Sequence, residues 1–349
     1  MTVAVAVSGG RDSLMALALL RRQERDLLAV HAQLADISRP KVLDGLRENC
    51  RVLDVPLQVL DLRSRFEELV VAPYVQNYLE GRTPNPCAWC NARIKFGLLL
   101  DAVREQGAET LATGHYARLT LTDHGPALWR GADPAKDQSY FLSLLTPEQL
   151  ARATFPLADI HKQDVLSELD RLGLSPPLPG ESQEVCFIPG DYREFLDQRI
   201  TDLPPPGPIV LTDGRVVGEH KGLWRYTVGQ RKGLDVAWSE PLYVLRKDTK
   251  VNRLVVGERA LFLSSTCHLE SVNFLVPPSS WSQDLLLQTR YRQRPEPVRL
   301  SLAPGACPSP DIDRLTLFYP APREPAASGQ IGVLYSLAGQ VLASGEICS

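Results

Sequence analysis

The stretch that most constrains this chain is its beginning, Val3-Ala4-Val5-Ala6-Val7 followed by Ser8-Gly9-Gly10-Arg11-Asp12-Ser13. An apolar run halted by Ser-Gly-Gly, with helix-compatible residues from Leu14 onward, predicts a buried parallel strand, a tight turn and a helix N-terminus. Such a unit is an anion cradle. Two adjacent glycines let backbone N–H groups approach a phosphate, and Ser8 and Ser13 add hydroxyls beside the positive end of the helix dipole. No lysine follows the glycines, so this is not the Gly-x-x-x-x-Gly-Lys-Ser/Thr loop, and the spacing is not Gly-x-Gly-x-x-Gly either. The competing reading is a plain strand-to-helix turn capped by Asp12 or Ser13.

Beyond the loop, helix and strand patterns alternate. Leu14, Leu17 and Ala18 share a helical face, Leu27–Val30 reads as a strand, Val42, Leu46, Cys50 and Leu53 as a helix, and Leu57–Leu60 as a third strand. Phe66, Leu69 and Val70 suggest another helix. Phe96, Leu99, Leu100 and Val103 give a further one, stopped by Gly107 before a strand at Thr110–Thr113. Alternation of this kind predicts an α/β N-terminal domain, doubly wound around a mostly parallel sheet, with its ligand at the carboxyl ends of the strands. Gly114, His115 and the segment Ala32 to Leu34 would then lie beside the loop.

From Pro204-Pro205-Pro206-Gly207 the texture changes to short β runs with turn punctuation, which predicts two small β-rich domains, the last a β-barrel. The partition expected is 1–203, 204–267 and 268–349, with the second boundary placed between Leu263 and Val272. The proline- and glycine-rich stretch Ala303–Pro310 reads as a surface excursion. At 349 residues with 44% hydrophobic and 23% charged side chains, the chain is an ordinary globular one with room for several cores. The absence of a signal-peptide pattern or a long uncharged apolar run points to a cytoplasmic protein that does not engage a membrane. A net charge of −3 gives no global attraction for a polyanion, so a nucleic-acid partner would need local basic patches. Two stretches qualify: Lys221, Arg225, Arg231 and Lys232 interleaved with Trp224 and Tyr226, and Arg290, Arg292, Arg294 and Arg299 around Tyr291. A pair of solvated β surfaces is the slightly preferred reading of these residues taken alone.

Seven cysteines are an odd number in a chain too long to need disulfide staples, which favours chemistry or incidental burial. In Thr83-Pro84-Asn85-Pro86-Cys87-Ala88-Trp89-Cys90-Asn91, the prolines impose an extended loop and Cys90 precedes the helix whose apolar face starts at Phe96. That position, with Arg93 and Lys95 near, predicts a lowered thiol pKa and a reactive thiolate. The pair is only half of a four-cysteine zinc site, and no metal site is expected. Cys186, in the apolar run Val185-Cys186-Phe187-Ile188, reads on its own as a buried core cysteine.

Taken together, the motifs carry a resemblance. Ser-Gly-Gly-x-Asp-Ser is similar to the loop of enzymes that split ATP into AMP and pyrophosphate to adenylate an oxygen. With Thr83 to Asn91, Ala112-Thr113-Gly114-His115-Tyr116-Ala117-Arg118, Lys136-Asp137-Gln138-Ser139-Tyr140-Phe141-Leu142, Ser182-Gln183-x-x-Cys186-Phe187-Ile188, Gly218-x-His220-x-Gly222, Tyr226-Thr227-x-Gly229-Gln230-Arg231-Lys232-Gly233 and Gly329-Gln330 to Tyr335 in this order, the chain resembles the tRNA-specific 2-thiouridylases over nearly its whole length. The resemblance implies an adenine nucleotide alpha hydrolase-like first domain and a defined reaction. ATP, with magnesium, adenylates the 2-carbonyl oxygen of the wobble uridine (position 34) of tRNA, and a cysteine persulfide charged by a cysteine desulfurase or relay protein displaces AMP. It assigns the persulfide to Cys186 and the sulfide-releasing nucleophile to Cys90, with a transient disulfide between them. ATP would lie on Ala6, Val7, Ser8, Gly9, Gly10, Arg11, Asp12 and Ser13, with Ala32, Leu34 and Gly114 around the adenosine. Asn85, Pro86, Cys87, His115, Lys136, Asp137, Gln138, Tyr291, Arg292 and Gln330 would contact tRNA.

Three departures bear on the mechanism. Some relatives have an aspartate where this chain has Cys87, and there it is proposed to handle uridine protons, so the general acid/base is open here. Cys87, Cys90 and Cys186 also suit an iron–sulfur cluster with one open site, the less favoured alternative. Leu14 replaces a usual serine, and Ala32 to Pro40 lacks the usual Met-Lys-x-Trp run. The rival readings are an ATP pyrophosphatase that forms a C–N bond, and a non-catalytic tRNA- or metal-binding scaffold.

Overall fold

The computed structural model describes residues 2–23, 25–35, 40–178, 180, 185–188, 190–300 and 313–348. Ser182, Gln183, the Ala303–Pro310 stretch with Cys307, and 36–39 of the Ala32 to Pro40 segment lie outside the described residues. Strand β1 (Thr2–Ala6) is buried on both sides at Val3, Ala4 and Val5, the apolar run expected of a central parallel strand. It pairs in parallel with β2 (Leu27–Gln33) on one side and β4 (Ala108–Ala112) on the other; β3 (Leu57–Asp61) joins β2 and the two-residue β7 (Ala153–Thr154) joins β4. In the resulting order β3-β2-β1-β4-β7, the chain steps outward from β1 to β3 and then returns to the opposite side of β1. The crevice between the carboxyl ends of β1 and β4 is the switch point where such sheets bind ligands.

The helix Arg11–Arg22 buries Leu14, Leu17, Ala18 and Leu20, and Pro40–Val52 buries Val42, Leu46 and Cys50, as the spacing predicts. The helical stretch 86–104 buries Phe96, Leu99, Leu100 and Val103. It begins earlier than expected. Asn85 caps it by accepting from Ala88 N at 3.2 Å, and Pro86 occupies the first helical position, a start signal made of the same residues that suggested a loop. Over Cys90–Leu99 the helix widens into π-type turns, interrupted at Gly97. An antiparallel hairpin, β5 (Ala117–Thr122) and β6 (Gly125–Arg130), was not legible because its strands lack an apolar run.

The small central sheet has the order β10-β11-β8-β9, from β8 (Gly207–Val210), β9 (Val216–His220), β10 (Tyr243–Asp248) and β11 (Arg253–Gly257). A closed six-stranded barrel comes next: β12 (Ser264–Phe274), β13 (Leu285–Gln288), β14 (Glu296–Leu300), β15 (Arg314–Arg323), β16 (Ile331–Ser336) and β17 (Val341–Cys348). The boundary expected at 267/268 falls inside β12, which pairs with barrel strands from Ser264 on.

The barrel does not hang free of the first domain. Ile331, Val333, Tyr335 and Val341 share an apolar core with Phe96, Leu99 and Tyr140. Tyr140 donates its hydroxyl to Ile331 O at 2.9 Å, and Asn273 Nδ2 donates to Ser143 O and Leu145 O, both at 2.9 Å. This docking carries the β13–β14 loop, with Tyr291 and Arg292, to the crevice. One expected surface is overturned: Trp224 and Tyr226 are 2% and 4% exposed and belong to two cores, so they offer no stacking platform. Lys221 and Arg225 are paired with Asp235 and Asp197.

Candidate active site

The turn after β1 is held by its own side chains. Ser13 Oγ accepts from Ser8 N at 3.1 Å, donates to Gly10 O at 2.9 Å and lies 3.2 Å from Ser8 Oγ. Gly9 has φ +89°, and a Cβ there would stand 2.7 Å from Val42 Cγ1, so the position requires glycine. Gly114, at the end of β4, meets the loop directly: a Cβ on it would lie 2.6 Å from the Asp12 carbonyl carbon and 2.7 Å from Ser13 N. The contact puts Gly114 beside the loop as expected, and His115 lines the same cleft as Ser8 and Ser13.

The loop also has a cation that sequence reasoning missed. Lys162 Nζ donates to both carboxylate oxygens of Asp12, whose Oδ1 accepts the Tyr116 hydroxyl at 2.8 Å. The Lys162 side chain is 10% exposed. It reaches the loop from a turn 150 residues downstream, and nothing in its local sequence marks it.

In front of the loop opens a cleft of about 590 Å³. Ser8, Gly10, Arg11, Asp12, Ser13 and Leu34 are among its lining residues, whereas Ala6, Val7, Gly9, Ala32 and Gly114 are not. Cys87, Cys90 and Cys186 line the same cleft. Asn85, Pro86, His115, Lys136, Gln138, Tyr291, Arg292 and Gln330 complete the wall, together with Asn91, Lys95 and Phe141. Asp137 turns the other way: its carboxylate accepts from Gly131 N, Ser139 N and Ser139 Oγ and braces the loop that presents Lys136 and Gln138. Gln330 Nε2 donates to Thr83 O at 2.7 Å, tying the barrel to the cysteine loop. The Tyr291 and Phe141 rings stand 4.3 Å apart at the cleft, an aromatic surface suited to a base.

The thiols differ from expectation. Cys90 lies inside the helix, one turn past its start, and burial pushes its thiol up to about 12; Lys95 pulls it down only partly, and the charges of Cys186 and Cys87 push it further up. Arg93 contributes nothing there, because its guanidinium donates to Leu69 O and lies over the Trp89 ring. Cys87 is likewise raised to about 11 by burial, then by Cys186, with Lys95 opposing. The resting state of both is the neutral thiol, so Cys87 is no substitute for a carboxylate base. His115 is also neutral: burial, and then Lys95, hold its imidazole well below the ordinary histidine value, and its Nδ1 is 2.7 Å from Thr113 Oγ1.

Cys186 is not a core cysteine. It is exposed in a turn, while the next residue, Phe187, is buried against Phe66, Tyr74 and Phe195 with ring centroids 5.4–5.6 Å away. The aromatic pedestal fixes the turn and leaves the thiol outside it. The described cysteines form no disulfide. The three thiols share one cleft, and among the described residues no group of three His, Cys, Asp or Glu is arranged to hold a metal ion.

A cleft that joins a phosphate loop to three cysteines narrows the comparison to sulfur-transferring ATP enzymes, and known proteins agree. Residues 1–190 match the tRNA methyl transferase HUP domain and 193–258 the tRNA methyl transferase PRC-barrel domain. A tRNA-specific 2-thiouridylase of Nitratidesulfovibrio vulgaris (strain Miyazaki F) is 48% identical over 355 residues, covering 99% of both chains. The chain belongs to the tRNA-specific 2-thiouridylase family. Further members in Oleidesulfovibrio alaskensis and Lawsonia intracellularis are 48% and 46% identical, with 100% and 99% of this chain and 99% of each relative covered. Family membership establishes the enzyme class, a sulfurtransferase, and excludes the C–N ligase and the non-catalytic scaffold. Among the described residues no helix is long and apolar enough to cross a membrane.

Proposed function

We propose that the enzyme converts the wobble uridine of tRNA to 2-thiouridine in two half-reactions within one cleft. The observation that carries this reading is that Ser8, Gly10, Arg11, Asp12, Ser13 and the three cysteines line the same cavity. At the nucleotide end, backbone N–H groups of 10–13 and the Ser8 and Ser13 hydroxyls receive the phosphates of ATP, and Leu34 borders the adenosine. Asp12 is the carboxylate that would hold magnesium beside them. The uridine O2 attacks the α-phosphorus, pyrophosphate leaves, and a poor leaving group at C2 becomes a good one.

At the sulfur end, exposed Cys186 receives a persulfide from a desulfurase or relay protein, which needs an accessible thiol. Cys90 attacks the Cys186 sulfur, expelling hydrosulfide; the hydrosulfide adds at C2, AMP leaves, and a Cys90–Cys186 disulfide remains. Lys95 stabilises the Cys90 thiolate that burial disfavours. Tyr291, Phe141, Arg292 and Lys136, which line the cleft, receive the base.

The test is thiouridine and AMP formation by metal-stripped and iron-reconstituted protein with ATP, magnesium, tRNA and a desulfurase with cysteine, run anaerobically. Stripped wild type is expected to thiolate, and Cys186→Ser to adenylate tRNA without thiolating it. Thiolation by Cys186→Ser, or activity only after iron reconstitution, would overturn the persulfide route.

A further inference from the structure

Cys87 and Cys90 are three residues apart in one helix and point to the same cleft. Helix geometry sets their Cα atoms about 5 Å apart, within the roughly 4.4–6.8 Å that a disulfide spans. Cys186 is near enough to act electrostatically on both. A two-cysteine cycle needs Cys90 and Cys186 only, so the third thiol is unexplained.

We infer that Cys87 is a resolving thiol: after sulfur transfer it attacks Cys90 Sγ of the Cys90–Cys186 disulfide, forming Cys87–Cys90 and expelling Cys186. This rests on the persulfide reading above. The exchange is balanced. The S–S bond between Cys90 and Cys186 breaks as the one between Cys87 and Cys90 forms, and the proton lost by Cys87 ends on Cys186. No net electrons are moved. The two-electron oxidation of the protein took place when the sulfane sulfur was reduced to sulfide, and a dithiol reductant later returns Cys87–Cys90 to thiols.

Burial sets the direction of attack. The better leaving group is the thiolate that costs least to form. Cys186 is exposed, whereas burial drives Cys90 up to about 12, so the attack that expels Cys186 avoids forming the buried thiolate. Disulfide formation also eases the attack. Repulsion from Cys186 is the second cause of the high Cys87 pKa after burial; it disappears once Cys186 is tied into a disulfide, while burial and the opposing attraction of Lys95 remain. The consequence is that the oxidising equivalent moves to the helix and the exposed acceptor becomes free to be recharged.

The experiment is one anaerobic turnover of persulfide-loaded full-length enzyme with ATP and tRNA, without reductant, quenched by alkylation and mapped by mass spectrometry. Wild type is expected to give an internal Cys87–Cys90 bond within one tryptic peptide and an alkylated Cys186. Cys87→Ser and Cys87→Asp should instead trap Cys90–Cys186. Oxidised wild type, but neither variant, should then accept about one further sulfur equivalent from the desulfurase. A Cys90–Cys186 bond with alkylated Cys87 in wild type would overturn this inference and leave the persulfide route intact. Thiouridine formed with no disulfide in any of the three proteins would overturn both.

Discussion

The two ends of the cleft are built on different principles. The phosphate loop organises itself: the hydrogen bonds that shape it join residues two to five positions apart, between Ser8, Gly10 and Ser13. The sulfur end is an assembly of distant parts, Cys87 and Cys90 from one helix, Cys186 from a turn on an aromatic pedestal, and Tyr291 and Arg292 from the barrel. A self-organised loop can be recognised from a short motif. An assembled site carries properties, above all thiol acidity, that depend on what covers it.

The largest expected effect tests the self-sufficiency of the loop. Asp12→Ala should lower tRNA-dependent pyrophosphate release by on the order of 10³-fold, the scale of losing a charged group at a phosphoryl centre. Normal release would remove the loop from the mechanism. Lys162→Ala asks whether the loop is local after all. With the cation gone, kcat/KM for ATP should fall about 10²-fold, and the double variant should be little worse than Asp12→Ala because the two act as a pair. An unchanged kcat/KM would show that the loop needs no distant help.

Gly114→Ala bears on the junction between the two ends. A Cβ driven into the Asp12 and Ser13 backbone should cost about 1–3 kcal/mol, read as a lower melting temperature and weaker ATP binding by calorimetry. The sulfur end is read through pH. Burial raises the Cys90 pKa far above neutrality, so the thiolate fraction, and with it single-turnover sulfur release, should climb about tenfold per pH unit from 7 to 9. Adenylation should not share this slope. Lys95→Gln removes the attraction that lowers that pKa and should slow release several-fold at each pH without changing the slope. A flat pH profile would mean that Cys90 is not the attacking thiol.

Much of the first domain was legible because period and punctuation are local. The two-sided burial of β1, the helix faces through Leu14 and Val42, and the stop at Gly107 all arise from residues a few positions apart. The errors have one cause. Arg93 and Lys95 looked equally able to activate Cys90, but only packing shows that Arg93 turns to Leu69. Trp224 and Tyr226 alternate with basic residues in the manner of a nucleic-acid surface, yet two cores absorb their rings. Cys186 was read as buried because its neighbours are apolar, when those neighbours are what hold it out.

The sequence by itself determined the phosphate loop, the parallel α/β order, the change to β structure after the triple proline, and which cysteines stand in informative motifs. Those are matters of hydrogen-bond reach and residue periodicity, which short segments carry with them. Tertiary structure alone decided that Lys162 pairs with Asp12 of the loop, that Asp137 braces rather than faces the cleft, and that Cys87 and Cys90 rest as neutral thiols beside an exposed Cys186. Charge partners and desolvation depend on distances in space, and chain separations of up to 150 residues carry no information about those distances until the fold closes them.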